Sequence, residues 1–288
     1  MANIITQVSQ DSGAAIQVQE EDDFNAIINL NVRNTSFQIT RDELMSLPES
    51  ILLCLFPNGV FLDDQGQVIT NLTENDVVYV DFSPECFQYI LQSFSKAAAS
   101  MPATNNNNDY YYDSGDEYRP LDSSVLKTKP CVIVLREDLD FYCIPPTTGL
   151  SSQDMKKIKL SVARQLVQHD RIFEGLGYKE GKPLGPAEQH LLDMLCHAGY
   201  TTTDAWGHRD VESNKSVVSS LALVQLKADG EGDANSKLLL FWKKPARKCW
   251  WSNEVLELLV NEVFAEPVSV KVHIRRVWTL ELAVLSSH

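Results

Sequence analysis

Two aspartates that follow an apolar run are the residues of this sequence best placed to do chemistry. Asp138 and Asp140 come soon after the apolar residues 132–135. Such a pair can transfer a phosphoryl group, because the first carboxylate attacks phosphorus, the second handles the leaving-group proton, and Mg²⁺ bridges them. Here two residues separate the apolar run from the motif, Tyr142 stands where Thr or Val is expected, and no acidic pair follows downstream. We therefore interpret the motif as the acidic start of a helix.

Other patterns with catalytic or ligand chemistry are absent from the sequence. The six histidines show no H-x-x-x-H and no paired Cys/His spacing, so no metal site is predicted. The glycines of residues 175–181 follow no predicted strand and lack the G-K-[ST] of a phosphate-binding loop, and no G-x-S-x-G element for serine chemistry occurs. The sequence thus predicts a protein that is not an enzyme and holds no cofactor.

A basic, tryptophan-rich segment at residues 241–251 is the densest remaining signal. Its cations and tryptophans are Trp242, Lys243, Lys244, Arg247, Lys248, Trp250 and Trp251. Three interpretations stay open: the tryptophans belong to the core, the segment binds an acidic partner or anionic lipid headgroups, or it resembles a nuclear-localisation cluster. Separately, Ser114 precedes two acidic residues and is a candidate phosphorylation site.

Composition and charge limit the class of protein. The 288 residues are 44% hydrophobic and 22% charged, which suffices to bury one or two cores, and no apolar run approaches the ~18 residues of a membrane span. The first 125 residues hold 19 acidic and 4 basic side chains, and the whole chain has a net charge of −14. This acidity argues against nucleic-acid binding and indicates two units of different charge. With no recognisable secretory signal and six scattered cysteines, we expect reduced thiols and a cytoplasmic location.

The N-terminal unit is predicted to follow an acidic flexible tail, residues 1–26. Alternating apolar and polar residues predict a hairpin over residues 28–39. Thr40 and Glu43 have the spacing of a capping box that begins a short helix. Residues 50–56 are apolar on all sides and predict a buried helix.

The rest of this unit is interrupted. A predicted strand at residues 77–82 leads into a helix that Ser83 caps. Residues 96–128, which contain an asparagine run and clustered acids, predict a disordered insertion. A strand returns at residues 131–135, so residues 27–146 are expected to form one α/β domain around the insertion.

The C-terminal unit is predicted over residues 184–288, after a linker at residues 147–183 that contains a basic amphipathic helix. A helix begins at Pro186, and mostly strands follow. Strands are predicted at residues 217–226, 237–242, 268–274 and 277–285, and residues 255–263 are ambiguous between helix and strand. The pattern indicates an α+β domain with a mainly antiparallel sheet.

Several N-terminal segments resemble a BTB/POZ domain of the potassium-channel-tetramerisation type. The matching segments are residues 28–32, Phe37, Thr40, residues 50–56, and residues 81–84 with 87–91. Residues 138–142 with 144–146 resemble the last helix of that domain. The resemblance implies an interaction module that can self-associate. By fold analogy alone it also suggests an alternative function, that of a substrate receptor for a cullin ubiquitin ligase.

Five longer segments resemble a fungal family, the "whiskey" (WHI) growth-regulation and general-stress-response proteins. These segments are residues 39–73, 132–143, 184–196, 238–251 and 272–284. The resemblance implies a non-enzymatic adaptor that binds and activates a plasma-membrane-anchored phosphatase of the haloacid-dehalogenase class. It further implies roles in stress response, nutrient-dependent restraint of growth and cell-cycle exit. We therefore expect a cytoplasmic protein that reaches the plasma membrane through its partner.

Overall fold

The N-terminal part of the chain forms a three-stranded sheet. The computed structural model describes residues 25–100, 130–212, 215–226 and 246–285. Strands β1 (Ile27–Val32) and β2 (Thr35–Thr40) form the predicted antiparallel hairpin, and β3 (Val77–Val80) pairs in parallel with β1. The turn residues Arg33 and Asn34 both have positive φ, 43° and 69°, which lets a two-residue turn follow the twist of the strands.

Three helices pack with this sheet around one hydrophobic core. Helix α1 (Arg41–Met45) begins at the predicted capping box, in which Thr40 and Glu43 each accept a hydrogen bond from the other's backbone N–H. Helix α2 (Glu49–Leu55) follows, and α3 (Pro84–Ala99) begins at its predicted proline. The buried side chains of α3 lie beneath the inward-facing residues of the strands, so the local sequence signals at the helix ends are confirmed.

A five-stranded antiparallel sheet organises the rest of the chain. Its strands are β4 (Cys131–Cys143), β5 (His208–Val211), β6 (Val217–Gln225), β7 (Ala246–Leu258) and β8 (Val268–Val284). The order is β5-β6-β4-β8-β7, and all four pairings are antiparallel, which confirms the predicted sheet type. The strands predicted at residues 268–274 and 277–285 are one continuous strand, and the ambiguous residues 255–263 are strand as far as Leu258.

The helix predicted to begin at Asp138 is wrong. These residues continue β4, and Asp138 lies opposite Ser219 of β6 and Val277 of β8. The alternation does not identify this strand, because Glu137 is an inward position that carries a charge, and a buried charge interrupts the apolar pattern. The segment that resembles the last helix of a BTB domain is therefore a strand.

Helical elements cover one face of the five-stranded sheet. Helix α4 (Ser152–Gln168), predicted inside a linker, packs its buried aliphatic side chains against β4, β6 and β8. Helix α5 (Pro186–Ala198) and a 3₁₀ turn (Phe173–Leu176) cover the neighbouring part of that face. The region predicted as a linker thus belongs to the packed layer.

The N-terminal unit packs on the opposite face of the same sheet. Val132 and Val134 of β4 and Leu221 of β6 belong to the hydrophobic cluster that surrounds α2 and α3. The hydroxyl of Tyr89 on α3 accepts a hydrogen bond from the backbone N–H of Leu223 at 2.9 Å. The predicted division assigns β4 to the N-terminal unit, but in the structure β4 is the central strand of the second sheet.

Several sequence predictions fall outside the described residues. These include most of the acidic tail at residues 1–26, most of the insertion predicted at residues 96–128, and the strand predicted at residues 237–242. Residues 96–99 are described and belong to α3, so the insertion was predicted to begin too early.

A buried carboxylate joins three strands to the 3₁₀ turn. Glu137 on β4 is fully buried, with 0% exposure, and its Oε1 accepts a hydrogen bond from Nη1 of Arg209 on β5 at 2.8 Å. On β8, Nη1 of Arg276 and Nε1 of Trp278 donate to Oε2 at 3.1 and 2.8 Å. Gly175 in the 3₁₀ turn approaches so closely that a Cβ there would lie 3.3 Å from Oε2.

This carboxylate is held in its charged form. Burial alone raises the pKa of the Glu137 carboxyl, but Arg276 and Arg209 outweigh burial, and the pKa lies below its ordinary value. A charge in the interior is tolerated because opposite charges and hydrogen-bond donors contact it directly.

Replacing Glu137 by Gln is expected to lower the free energy of unfolding by about 3–5 kcal/mol, because two buried guanidinium groups lose their counter-charge. A lowered folded-state pKa means that this stabilisation is present above the ordinary pKa of 4.5 and is lost as pH falls through the folded-state value. The difference in the free energy of unfolding between wild type and Glu137→Gln should therefore become smaller at acidic pH. Urea unfolding at neutral and at acidic pH measures it, with the exposed Glu180→Gln as control. A difference in the free energy of unfolding that does not change with pH would contradict a buried Glu137 carboxylate in its charged form.

A second long-range contact attaches α2 to the sheet. Its N-cap position is Pro48, whose side chain makes no cap hydrogen bond. The carboxylate of Glu281 on β8 takes that role, because Oε1 and Oε2 accept hydrogen bonds from the backbone N–H groups of Glu49 and Ser50, each at 2.9 Å. A helix end that needs a cap thus receives it from a strand more than 200 residues away.

Glu281→Gln keeps the shape of the side chain but removes one of the two acceptors and the charge at the helix N-terminus. We expect a loss of about 1–2 kcal/mol in the free energy of unfolding and faster hydrogen exchange at the amides of Glu49 and Ser50. Chemical denaturation and exchange mass spectrometry test this, and Glu266→Gln on the exposed surface is the matched control. Equal exchange in both variants would refute the capping role.

Candidate functional site

Strand alternation divides the basic, tryptophan-rich segment between the two faces of the sheet. The described part of the segment lies on β7, which is an outer strand among the described strands. Lys248 and Trp250 face the helical layer, and Arg247 and Trp251 face the opposite side. Trp242, Lys243, Lys244 and the candidate phosphorylation site Ser114 lie outside the described residues.

Trp250 and Lys248 take part in packing. The indole N–H of Trp250 donates to the carbonyl oxygen of Gly175 at 3.1 Å, and its ring packs edge-on against the buried Trp278 at a centroid distance of 5.4 Å. Lys248 pairs with Glu188 at 3.0 Å and lies 5.7 Å from the centroid of the Trp250 ring. Trp250 is therefore a partly buried side chain that packs against the cluster under the helical layer, and Lys248 lies beside it.

Trp251 lies on the uncovered side of the sheet. It is 62% exposed and stacks on Tyr142 of β4, which is 52% exposed, with ring centroids 6.2 Å apart. Large exposed aromatic side chains on a rigid strand are typical of protein interfaces, because they bury much area at low entropic cost.

The uncovered side chains of β7, β8 and β4 form a regular array, which we call the open face. Strand register places them in four rows: Arg247, Thr279 and Arg136; Cys249, Val277 and Asp138; Trp251, Arg275 and Asp140; Asn253, His273 and Tyr142. Along each strand, neighbouring rows are two residues apart, or about 6.7 Å. Sequence reasoning missed Tyr142 and Arg275 as parts of a surface, since only the pairing of distant strands brings them beside Trp251.

The two aspartates of the sequence motif hold arginines in place on the open face. Asp138 accepts hydrogen bonds from Nε and Nη2 of Arg136 at 3.1 and 2.7 Å. Oδ2 of Asp140 contacts Nε and Nη2 of Arg275 at 2.7 and 2.6 Å, and this hydrogen bond raises the pKa of Arg275. Both carboxylates are therefore neutralised in the middle of a strand, where they orient guanidinium groups.

A cleft of about 620 Å³ lies between α2 and the open face. Leu53 of α2 lines it and is 45% exposed, so the helix predicted to be buried is buried only in part. Cys54 also lines the cleft and contacts Arg136, but burial raises the pKa of its thiol in spite of that arginine, which disfavours a reactive thiolate. Arg247 enters the cleft without a hydrogen bond or ion pair to any described residue.

The described parts of the chain show neither a metal-binding cluster nor a membrane-spanning helix. In those parts, no group of three or more histidine, cysteine or carboxylate side chains is arranged to hold a metal ion. Across the same residues, no helix combines the length and apolar character needed to cross a bilayer. The open face and its cleft are the candidate site, because they combine exposed aromatic rings with arginines and a cleft.

The adjacent tryptophans Trp250 and Trp251 are expected to respond differently to truncation. Trp250→Ala should lower the free energy of unfolding by about 3 kcal/mol, because it removes a packed ring and the hydrogen bond to Gly175. Trp251→Ala should change it by less than about 0.5 kcal/mol, because an exposed ring is removed. Urea unfolding of the two variants compares them directly, and equal losses would contradict the division of the segment between the two faces.

Named relatives align along nearly the whole chain, although no family model matches it. The chain is 31% identical to a growth regulation protein of Saccharomyces cerevisiae, over 99% of each chain. It is 34% identical to a WHI2-like protein of Schizosaccharomyces pombe, over 91% of this chain and 89% of the relative. An uncharacterized protein of Schizosaccharomyces pombe is 26% identical to the chain, over 90% of this chain and 87% of the relative. With identity above 30% along the full length, the chain belongs to the WHI2-like family of growth regulation proteins.

Proposed function

We propose that this chain is a growth regulator that works as a non-enzymatic adaptor. In this role it binds and activates a haloacid-dehalogenase-type protein phosphatase anchored at the plasma membrane, and it acts in general stress response and nutrient-dependent restraint of growth. Growth regulation is the role that the name of the Saccharomyces cerevisiae relative states for that protein. The phosphatase partner is the more specific part of the proposal.

The observation that carries the adaptor proposal is the state of the two motif aspartates. A catalytic aspartate must present a free oxygen to phosphorus, but both oxygens of Asp138, the first aspartate of the motif, bind Arg136, and Oδ2 of Asp140 binds Arg275. Arginines held in this way are oriented for recognition, because a guanidinium group offers several donors in a fixed plane. This arrangement supports a binding role for the motif over a catalytic one.

The open face supports the same proposal by its shape and chemistry. It combines an exposed aromatic pair with a cleft beside α2 and an arginine that has no partner among the described residues. Recognition surfaces commonly join aromatic anchors to arginines in this way. In the proposal the chain reaches the plasma membrane through the phosphatase, so that the adaptor itself stays peripheral.

Two measurements test the adaptor proposal. Affinity capture of the tagged full chain from stressed and unstressed cells, read by quantitative mass spectrometry, should return a membrane-anchored phosphatase as the main partner. Adding the purified chain to that phosphatase should then raise its kcat/KM in a saturable manner. The matched control is the same phosphatase with an equal amount of chain that has been unfolded and cleared of aggregates.

Distinct results would overturn the proposal. Phosphatase activity that does not change at saturating adaptor removes the activator role. A cullin captured at stoichiometric level in place of a phosphatase would favour the substrate-receptor alternative suggested by the N-terminal resemblance. Mg²⁺-dependent phosphatase activity of the purified chain alone, abolished by Asp138→Asn, would establish an enzyme instead.

A further inference from the structure

We propose that the open face binds an extended segment of the partner protein in which two carboxylate side chains flank an apolar one at alternate positions. This inference rests on the proposed adaptor function and specifies the chemistry of the partner. The occupant is a peptide strand that runs along β7 and β8 over the first three rows of the array.

The spacing of the rows matches such a segment. Side chains that point the same way from an extended peptide are two residues apart, or about 6.7 Å, and the rows of the open face have the same spacing. A strand that crosses obliquely from β7 to β8 therefore places three successive same-side residues near Arg247, Val277 and Arg275, one in each row.

The outer two positions require carboxylates. Arg247 has no hydrogen bond or ion pair to any described residue, so its whole guanidinium group is available. Arg275 uses Nε and Nη2 to bind Asp140 and remains 44% exposed, which leaves Nη1 for a ligand. Arginine and carboxylate are geometrically matched, and the pair gains most when the guanidinium group is already oriented.

The middle position requires an apolar side chain. Val277 on β8 and Leu53 on α2 both line the cleft, and Leu53 is 45% exposed. Burying these aliphatic groups under an apolar ligand side chain gains about 25 cal/mol for each Å² of apolar surface removed from water. The stacked Trp251 and Tyr142 lie alongside and offer their ring surfaces to the peptide backbone.

A lipid surface fits this face less well than a peptide does. Asp140 lies in the same row as Arg275, and Asp138 lies in the row next to Arg136 and Arg247, so a plane of anionic headgroups would meet both signs of charge. The cleft is also concave between a helix and a sheet, which a single strand can enter and a flat bilayer cannot. An acidic partner was one interpretation of the basic segment, and the geometry selects it over anionic lipid.

Fluorescence anisotropy with the full chain tests this inference. The probe is a labelled nonapeptide with Glu-Ser-Leu-Ser-Glu at its centre, compared with the same peptide carrying Ser in place of both glutamates. We expect saturable binding of the first peptide only. Arg247→Glu should weaken it about fivefold to tenfold, since an attractive pair becomes a repulsive one. Lys159→Glu, the same charge change on the exposed side of α4, should have no effect.

Charge reversal in the peptide makes the test specific. A peptide with one glutamate replaced by Lys should bind Arg247→Glu better than it binds the wild type, in one of the two possible placements of the Lys. Equal binding of the acidic peptide to wild type and Arg247→Glu, or a lack of saturable binding, would overturn the inference. So would Arg247-dependent binding to vesicles of phosphatidylserine and phosphatidylcholine without peptide binding.

The inference and the adaptor proposal fail in different experiments. If peptide binding depends on Arg247 but the phosphatase does not respond to the chain, the surface is correct and the activator role is wrong. If the phosphatase responds equally to wild type and Arg247→Glu, the activator role stands and the assignment of this surface is overturned.

Discussion

Contacts from three strands and the 3₁₀ turn converge on the buried carboxylate of Glu137. It has no contact with solvent, yet it is charged, because guanidinium groups from β5 and β8 and an indole N–H surround it. Removing a charge from water costs several kcal/mol, which these contacts must offset together. The contact joins strands on both sides of β4, since Arg209 reaches the carboxylate from β5 across β6 and Arg276 reaches it from the neighbouring β8.

Strand β4 presents different kinds of side chain on its two faces. One face of β4 presents Glu137 and apolar side chains to the helical layer, while the other presents Asp138 and Asp140 to solvent and to the cleft. The aspartates neutralise arginines that would otherwise repel each other on one side of a sheet. A surface with many charges is thus kept locally neutral, and the arginine without a described partner, Arg247, becomes its distinctive feature.

The N-terminal unit and the five-stranded sheet pack together because side chains of β4 and β8 belong to the hydrophobic cluster around α2 and α3. Glu281 caps α2 from β8, and Tyr89 of α3 binds the backbone of β6. The cleft exists because α2 is fixed over the edge of the open face by these contacts. The shape of a cleft lined by two units depends on the position of each unit.

The sequence by itself determined the local elements of this protein and its family. The hairpin over residues 28–39, the capping box at Thr40 and the helix that begins at Pro186 were predictable, because turns, caps and prolines act on their immediate neighbours. Tertiary structure decided the remainder. The arginines that bind Glu137 are 72 and 139 residues away along the chain. No sequence pattern within a few residues of Glu137 shows that this charged side chain faces inward. For the same reason only strand pairing determined that Trp250 packs and its neighbour Trp251 lies exposed, since alternation separates adjacent residues but does not say which face will be covered.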